Sequence, residues 1–385
     1  MNLSQQQCIV ERLLTLVRQR STDLAPAPYE RETLAYYDPA RFSLEKDLLF
    51  RRTPLWAGFS SDAPTPGDFI THYDSGVPLL IVRQENGELS AYINSCRHRG
   101  SRLVDHPYGN QRVIRCPYHG WSYAGCGDLI GVPFQQGFPD LDRTSRGLIQ
   151  VPVAEKYGMI FVRATPGPPI DLAKHLGHLG EEFASWNVGT AIRVHTKSIT
   201  SPINWKFALD VFAEGYHFSV LHKDTINRLT YNNVMTYDSF GRHYRLAFPS
   251  KQIDRLEGKP RDEWVPLDNV SFVYYIFPNI SLNVTGASVP TVRVFRICPG
   301  ATVGESVTHH MLYSRVPVAS EKERAALIDH FDYMHNVVEL EDHKVAITAQ
   351  VAVASGAQPT FIFGRNEPSL IQLHRQFDEA IASSA

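Results

Sequence analysis

The chain contains no apolar run long enough to cross a bilayer. Its first twenty residues, MNLSQQQCIVERLLTLVRQR, lack the unbroken apolar core of a secretory signal. Neither sign of charge prevails: 38 Lys and Arg stand against 40 Asp and Glu, a formal net charge of -2. That balance gives no general attraction to nucleic acid or to an anionic membrane. Cysteine is scarce, with five in 385 residues, an odd number that argues against a disulfide framework and for a reducing compartment. No G-x-G-x-x-G follows a strand-like segment, so a dinucleotide would have to be used by a separate protein. Internal repeats and low-complexity segments are also missing. These absences lead us to expect a cytoplasmic globular protein without a nucleic-acid or membrane partner.

What is present suits two domains: 43% apolar residues, 20% charged residues, and 25 each of Gly and Pro. Ile9, Val10, Leu13, Leu14 and Val17 recur at helical spacing and predict an amphipathic first helix, with a Pro-punctuated lead-in to about residue 50. Residues 51–165 read as short strands and tight turns, with Asn86-Gly87 as a hairpin signal. Three prolines in TPGPPIDL close that block. Residues 166–385 mix helix and strand. NWKFALDVFAEGYHFSVLH predicts a helix, and SFVYYIFPNISLNV, TVRVFRICP and SVTHHMLYSRVPV predict neighbouring strands of one sheet. A long helical run begins at Ser320, its expected N-cap, with Glu323 completing a capping box. The predicted class is α+β, with an all-β domain inserted after the first elements.

Cys96-Arg-His98 and Cys116-Pro-Tyr-His119 are separated by seventeen residues. Two thiolates and two imidazoles could bind zinc, but zinc loops usually keep like ligands together. Here each loop supplies one sulfur and one nitrogen, which suits a Rieske [2Fe–2S] cluster with both thiolates on one iron and both histidines on the other. Cys8, Cys126 and Cys298 have no ligand spacing and are expected to be small buried residues.

A second group lies in EGYHFSVLH. On a regular helix Glu214 and His217 would be roughly 60° apart, but His217 and His222 roughly 140° apart, so a helix would have to distort or end for both rings to meet one metal. A 2-His-1-carboxylate site for ferrous iron also needs an acid, and ELEDHKVAITAQ offers Asp342. Arg242, His243 and Arg245 are candidates for holding a substrate carboxylate.

Taken together, CRHRG, CPYHGW, NWKFALDVFAEGYHFSVLH and EDHKVAITAQ resemble the α subunit of Rieske non-haem iron oxygenases, the aromatic ring-hydroxylating oxygenases. The resemblance implies a Rieske domain joined to a helix-grip-like catalytic domain with a central antiparallel sheet. It implies Cys96, His98, Cys116 and His119 as cluster ligands, and His217, His222 and Asp342 as ligands of a mononuclear Fe(II). Asp342 is preferred over Glu341 because it lies eight residues before Gln350. Glu214 takes the place of an acid linking His217 to the cluster histidine of a neighbouring subunit. O₂ and a small organic substrate are the implied reactants. A separate NAD(P)H-dependent reductase or ferredoxin and a homotrimer, with or without a β subunit, are the implied partners. Most relatives have Asp at the position of Glu214, and the glutamate resembles the branch acting on quaternary amines. Val211 replaces a frequent asparagine. Rival readings are a Rieske electron carrier and a zinc-stabilised module.

Overall fold

The computed structural model describes residues 1–286 and 290–383. The chain forms two compact units: Met1–Glu45 with Leu176–Asn187 and Ala191–Ala385, and Lys46–His175 with Val188–Thr190. The N-terminal helix and most of the lead-in therefore belong to the larger unit. Among the described residues no helix is long and apolar enough to cross a membrane.

The smaller unit is built from antiparallel sheets. Its five-stranded sheet runs Gln150–Val151, Leu89–Ile93, Leu79–Arg83, Asp68–His72, Tyr108–Asn110. Along Leu79–Arg83 the side chains alternate between two cores. Leu79 and Ile81 pack with Ile70 and Val162, while Leu80 and Val82 pack with Tyr92, Trp121 and Tyr123 around Cys96 and Cys116. The Asn86-Gly87 turn closes the hairpin, with Gly87 at φ +83°.

The larger unit centres on seven antiparallel strands: β1 (Ile192–Ser201), β2 (Thr236–Phe240), β3 (His243–Pro249), β4 (Val270–Ile276), β5 (Ile280–Thr285), β6 (Thr291–Pro299) and β7 (Ser306–Ser314). Their spatial order is β1-β7-β6-β5-β4-β3-β2. The helices that matter for the site are α1 (Leu3–Gln19), α2 (His178–Ser185), α3 (Trp205–Asp210), α4 (Glu321–Val337), α5 (His343–Ala354) and α6 (Pro368–Ala382). A five-residue π-turn, Val338–Asp342, joins α4 to α5 without a break. Ser320 caps α4 by accepting the Glu323 N–H, but the Glu323 carboxylate reaches one residue further back, to the Ala319 N–H.

Two further expectations change. The helix predicted over the whole of NWKFALDVFAEGYHFSVLH stops at Asp210, and turns follow. Cys8 and Cys126 are exposed, whereas Cys298 is buried. Cys8 falls on the outer side of α1, opposite Ile9, Leu13 and Leu14, and Cys126 sits in the tight turn between Gly125 and Gly127.

One buried ion pair fixes the start of α3. Lys206 Nζ lies 2.6 Å from Glu45 Oε2, and both side chains are fully buried. The Trp205 indole N–H and the Arg41 guanidinium also donate to Glu45, each at 3.0 Å. Burial pulls the Lys206 ammonium down to about 8, with Glu45 opposing. Glu45→Ala would leave that ammonium buried and unpaired, so a loss of about 3–5 kcal/mol is expected in urea unfolding. Asp105→Ala, at an exposed pair with Arg102, should cost less than about 1 kcal/mol. Equal losses for the two variants would show that the Glu45 pair does not hold this region together.

Candidate functional site

In the smaller unit, two loops repeat one hydrogen-bond pattern. The Cys96 N–H donates to Ser101 O and the Gly100 N–H to Cys96 O, at 2.8 and 2.9 Å; the Cys116 N–H donates to Trp121 O and the Gly120 N–H to Cys116 O, at 2.8 and 3.0 Å. Both loops close on a glycine four residues after the cysteine, at φ +76° and +71°, where a side chain would be strained. The histidine comes second after the cysteine in one loop and third in the other. Both cysteines are buried free thiols, and the His98 and His119 ring centroids are 4.8 Å apart. His98 stacks on Trp121, with 4.9 Å between centroids and 7° between planes. His98 Nδ1 is buried without a hydrogen-bond partner. Tyr123 Oη is 3.4 Å from Cys96 Sγ and accepts the Arg97 N–H. Burial pushes the Cys96 thiol up, so holding it as a thiolate requires a cation. The donor set fits a [2Fe–2S] cluster: two enclosed sulfurs, two adjacent imidazoles and an orphaned buried nitrogen.

The second constellation is assembled at the end of α3. The chain leaves the helix through two tight turns, in which the Phe212 N–H donates to Leu209 O and the Ala213 N–H to Asp210 O. Asp210 is tied down by the Tyr36 hydroxyl at 2.7 Å and by His374 Nε2 at 3.0 Å. Glu214 then bends back, its carboxylate accepting the N–H groups of Tyr216 and His217 and bonding His217 Nδ1. Gly215 leaves room for Phe248, whose ring would lie 2.9 Å from an added Cβ. These turns bring His217 and His222 within 4.9 Å, centroid to centroid. The five-residue spacing that a helix could not serve is served by a helix end.

The opposite wall is the π-turn. Its extra residue changes what Glu341 and Asp342 can reach. Asp342 Oδ1 lies 3.0 Å from His222 Nε2 and 3.6 Å from His217 Nε2. Glu341 Oε2 takes the other side of the same ring, 2.6 Å from His222 Nδ1, and also accepts the Thr225 hydroxyl at 2.9 Å. One ligand-type atom from each of His217, His222 and Asp342 falls within 4.8 Å of the others. His217 Nε2 is buried and makes no hydrogen bond. Burial pushes the Asp342 carboxyl up, against the pull of His222 and His217. Burial lowers the His222 imidazole, but Asp342 and Glu341 raise it overall. Two carboxylates, one at each ring nitrogen, can both be satisfied without a metal only by an imidazolium. A divalent cation would take the place of the proton on Nε2, so this donor set fits ferrous iron. α5 is held against the start of α3 by Gln350 Oε1, which accepts the Asn204 N–H at 2.7 Å, and by His343 Nδ1, 2.7 Å from Ser201 Oγ.

The contact of Glu341 with His222 was missed in sequence, because adjacent residues on a regular helix point about 100° apart. The adjacency of two acids was the available signal. The basic group Arg242-His243-Arg245 is not a free anion site. Arg245 is paired with Glu182 and Asp238, Arg242 lies over the Phe277 ring, and His243 Nδ1 accepts the Phe277 N–H.

Residues 53–150 match the Rieske [2Fe-2S] domain, and residues 184–383 match the ring hydroxylating alpha subunit catalytic domain. The chain is 36% identical to biphenyl 2,3-dioxygenase subunit alpha of Rhodococcus jostii (strain RHA1) over 188 residues, 47% of this chain and 41% of that protein. It is 31% identical to the glycine betaine monooxygenase oxygenase subunit of Chromohalobacter salexigens over 215 residues, 56% and 46% of the respective chains. These matches span less than half the length of either relative. The fold is similar to that of the quaternary ammonium Rieske monooxygenase CntA in complex with L-carnitine, with a TM-score of 0.76 at 18% identity over 93% of this chain and 96% of that one. It is also similar to naphthalene 1,2-dioxygenase from Rhodococcus sp., with a TM-score of 0.73 at 17% identity over 98% and 99% of the two chains. The two domains imply a Rieske [2Fe–2S] cluster and a mononuclear iron, and the chain belongs to the Rieske ring-hydroxylating α-subunit family.

Proposed function

We propose that this chain is a terminal oxygenase component that uses O₂ to hydroxylate an aromatic or related small organic substrate. The observation that carries the reading is the paired geometry of His217 and His222. Each imidazole is held at Nδ1 by a carboxylate and turns Nε2 toward Asp342. Such an arrangement fixes tautomer and ring orientation, as at built metal centres. In this reading Cys96, His98, Cys116 and His119 hold the cluster, and His217, His222 and Asp342 hold the iron. When bound, the two groups supply the single electrons and the redox chemistry that O₂ activation requires.

The chain's own residues do the positioning. Glu214 and Glu341 keep protons on the two Nδ1 atoms, so both Nε2 lone pairs point inward. Phe218 packs beside both His217 and His222, is backed by Phe248 at 5.5 Å between centroids, and helps exclude water. Trp121 and Phe138 hold His98 on its stacked and edge sides. Electrons come from a separate NAD(P)H-dependent reductase or ferredoxin. The chain works as a homotrimer, with or without a β subunit, in which Glu214 of one copy meets His119 of the next. His119 Nε2 is partly exposed and lies 2.8 Å from the Arg99 guanidinium, which is itself able to receive a carboxylate. A second reading, oxidative demethylation or C–N cleavage of a methylated amine, is favoured by Glu214. That reading agrees with the similarity to glycine betaine monooxygenase.

Three experiments test the assignment. His119→Ala should abolish the Rieske EPR signal while leaving iron at the second site, and His222→Ala should keep the signal while substrate-dependent O₂ uptake falls at least about 100-fold. Bleaching of the cluster by His222→Ala without unfolding would merge the two sites, and a zinc-loaded colourless protein would remove the oxygenase reading altogether.

Asp342→Ala should lose mononuclear iron. Glu341→Ala should retain it with roughly 10–100-fold weaker Fe(II) binding, because His222 loses its Nδ1 acceptor. Metal analysis against free Fe(II) separates the two, and stoichiometric iron in Asp342→Ala would reassign the ligand.

Glu214→Gln should keep both metal sites loaded yet slow cluster oxidation in a single turnover with substrate and O₂. Oxidation at the parent rate would take Glu214 off the electron path.

A further inference from the structure

Four arginines are buried among the described residues: Arg31, Arg83, Arg245 and Arg293. Arg31 is paired with Asp378, Arg83 bonds both oxygens of Glu155, and Arg245 is paired with Glu182 and Asp238. Arg293, 7% exposed in the middle of β6, differs from the other three. Its Nε is buried without a hydrogen-bond partner, as are those of Arg31 and Arg245, but it alone of the four enters none of the ion pairs among the described residues. Burial alone pulls its guanidinium down to about 10, with no acid among the described residues opposing it. A guanidinium enclosed without a counter-ion is strongly unfavourable, so an anion from outside the chain is the natural partner.

The surroundings indicate where that anion's remaining atoms would lie. Arg293 pairs in register with Asn283 of β5 and Leu312 of β7. Two residues along the same face, Phe295 carries a layer of rings. Phe212 lies 4.5 Å away on one side, and His310 lies 4.1 Å away and in turn stacks on Phe331 of α4. Phe212 is two residues before Glu214, so the segment bearing Glu214 and His217 meets the sheet beside Arg293. The same face holds two more buried atoms without partners, His310 Nε2 and Thr308 Oγ1. Burial and Arg293 push His310 well down, so it adds no positive charge at neutral pH.

We propose that Arg293 anchors the carboxylate of an organic-acid substrate whose apolar body lies against Phe212, the half-buried ring of this layer. This rests on the oxygenase reading above and narrows its substrate to a carboxylate-bearing class. A planar guanidinium fork matches a carboxylate, and His310 Nε2 is placed on the same face to donate a further hydrogen bond.

The test uses the metal-loaded full chain and measures melting temperature with and without ligand. Benzoate and phenylacetate represent aromatic acids, glycine betaine represents a zwitterionic acid, and methyl benzoate is the control without a carboxylate. At least one acid should raise the melting temperature and methyl benzoate should not; which acid binds separates the aromatic from the methylated-amine source. Arg293→Met should weaken that acid's binding at least about tenfold. In the same variant the ligand-free protein should melt about 2–4 °C higher, because an unpaired buried charge has been removed. A merely structural arginine would give the reverse, a ligand-free loss of stability with acid binding unchanged. Arg293→Lys should keep part of the affinity and guards against misfolding of the methionine variant. No response to any of the three acids, or equal responses to benzoate and methyl benzoate, would overturn the anchor. Acid binding that depends on Arg293 but never stimulates O₂ uptake would leave the anchor standing and remove the oxygenase reading. O₂ uptake with substrates lacking a carboxylate, unchanged in Arg293→Met, would do the opposite.

Discussion

The catalytic unit depends on one repeated contact, a carboxylate held against the Nδ1 of a histidine. Glu214 makes it to His217 and Glu341 makes it to His222. Because a carboxylate can only accept, each contact decides which ring nitrogen keeps its proton and which keeps its lone pair. The rest of the local structure serves that decision. α3 stops early so that Glu214 can bend back onto His217. The π-turn adds a residue so that Glu341 and Asp342 can reach the two sides of His222. Gln350 and His343 tie the second of these segments to the residues that lead into the first.

The two candidate metal centres reach enclosure by different routes. In the smaller unit, paired loops use backbone hydrogen bonds and left-handed glycines, and their geometry is nearly independent of distant packing. In the larger unit the donors come from segments over a hundred residues apart, and only the tertiary structure brings them together. This difference explains what could be read in the sequence. Cys96, His98, Cys116 and His119 declare themselves by spacing, because a short loop converts spacing directly into geometry. The sheet strands were legible from β-branched and aromatic runs, and the seven-stranded order extends that pattern.

Other features were hidden for physical reasons. The sequence around Glu214 has helix-compatible residues, and local propensity gives no sign that a carboxylate will capture the amides of Tyr216 and His217. The role of Glu341 depends on a helix that is not regular. Arg242 and Arg245 drew attention because they cluster with His243, whereas Arg293 lies between two valines in the mostly apolar strand TVRVFRICP. Clustering in sequence marks charge density, but a functional charge is marked by the lack of a partner. That lack appears only when Glu182 and Asp238 are seen to engage Arg245 while no acid among the described residues pairs with Arg293.

The π-turn also constrains chain length. Val338–Asp342 contains one residue more than an α-helix would need between α4 and α5. Wound as a regular α-helix, the same residues would carry the chain one residue further round the axis than the wide turn does. Every side chain beyond it would then turn by about 100° relative to α4. Asp342, His343 and Gln350 would rotate together, away from His222, Ser201 and Asn204. The wide turn therefore holds Asp342, His343 and Gln350 in place as a unit. Conservative substitutions nearby would leave the frame intact. In this segment the spacing between residues matters to the site as much as their identity.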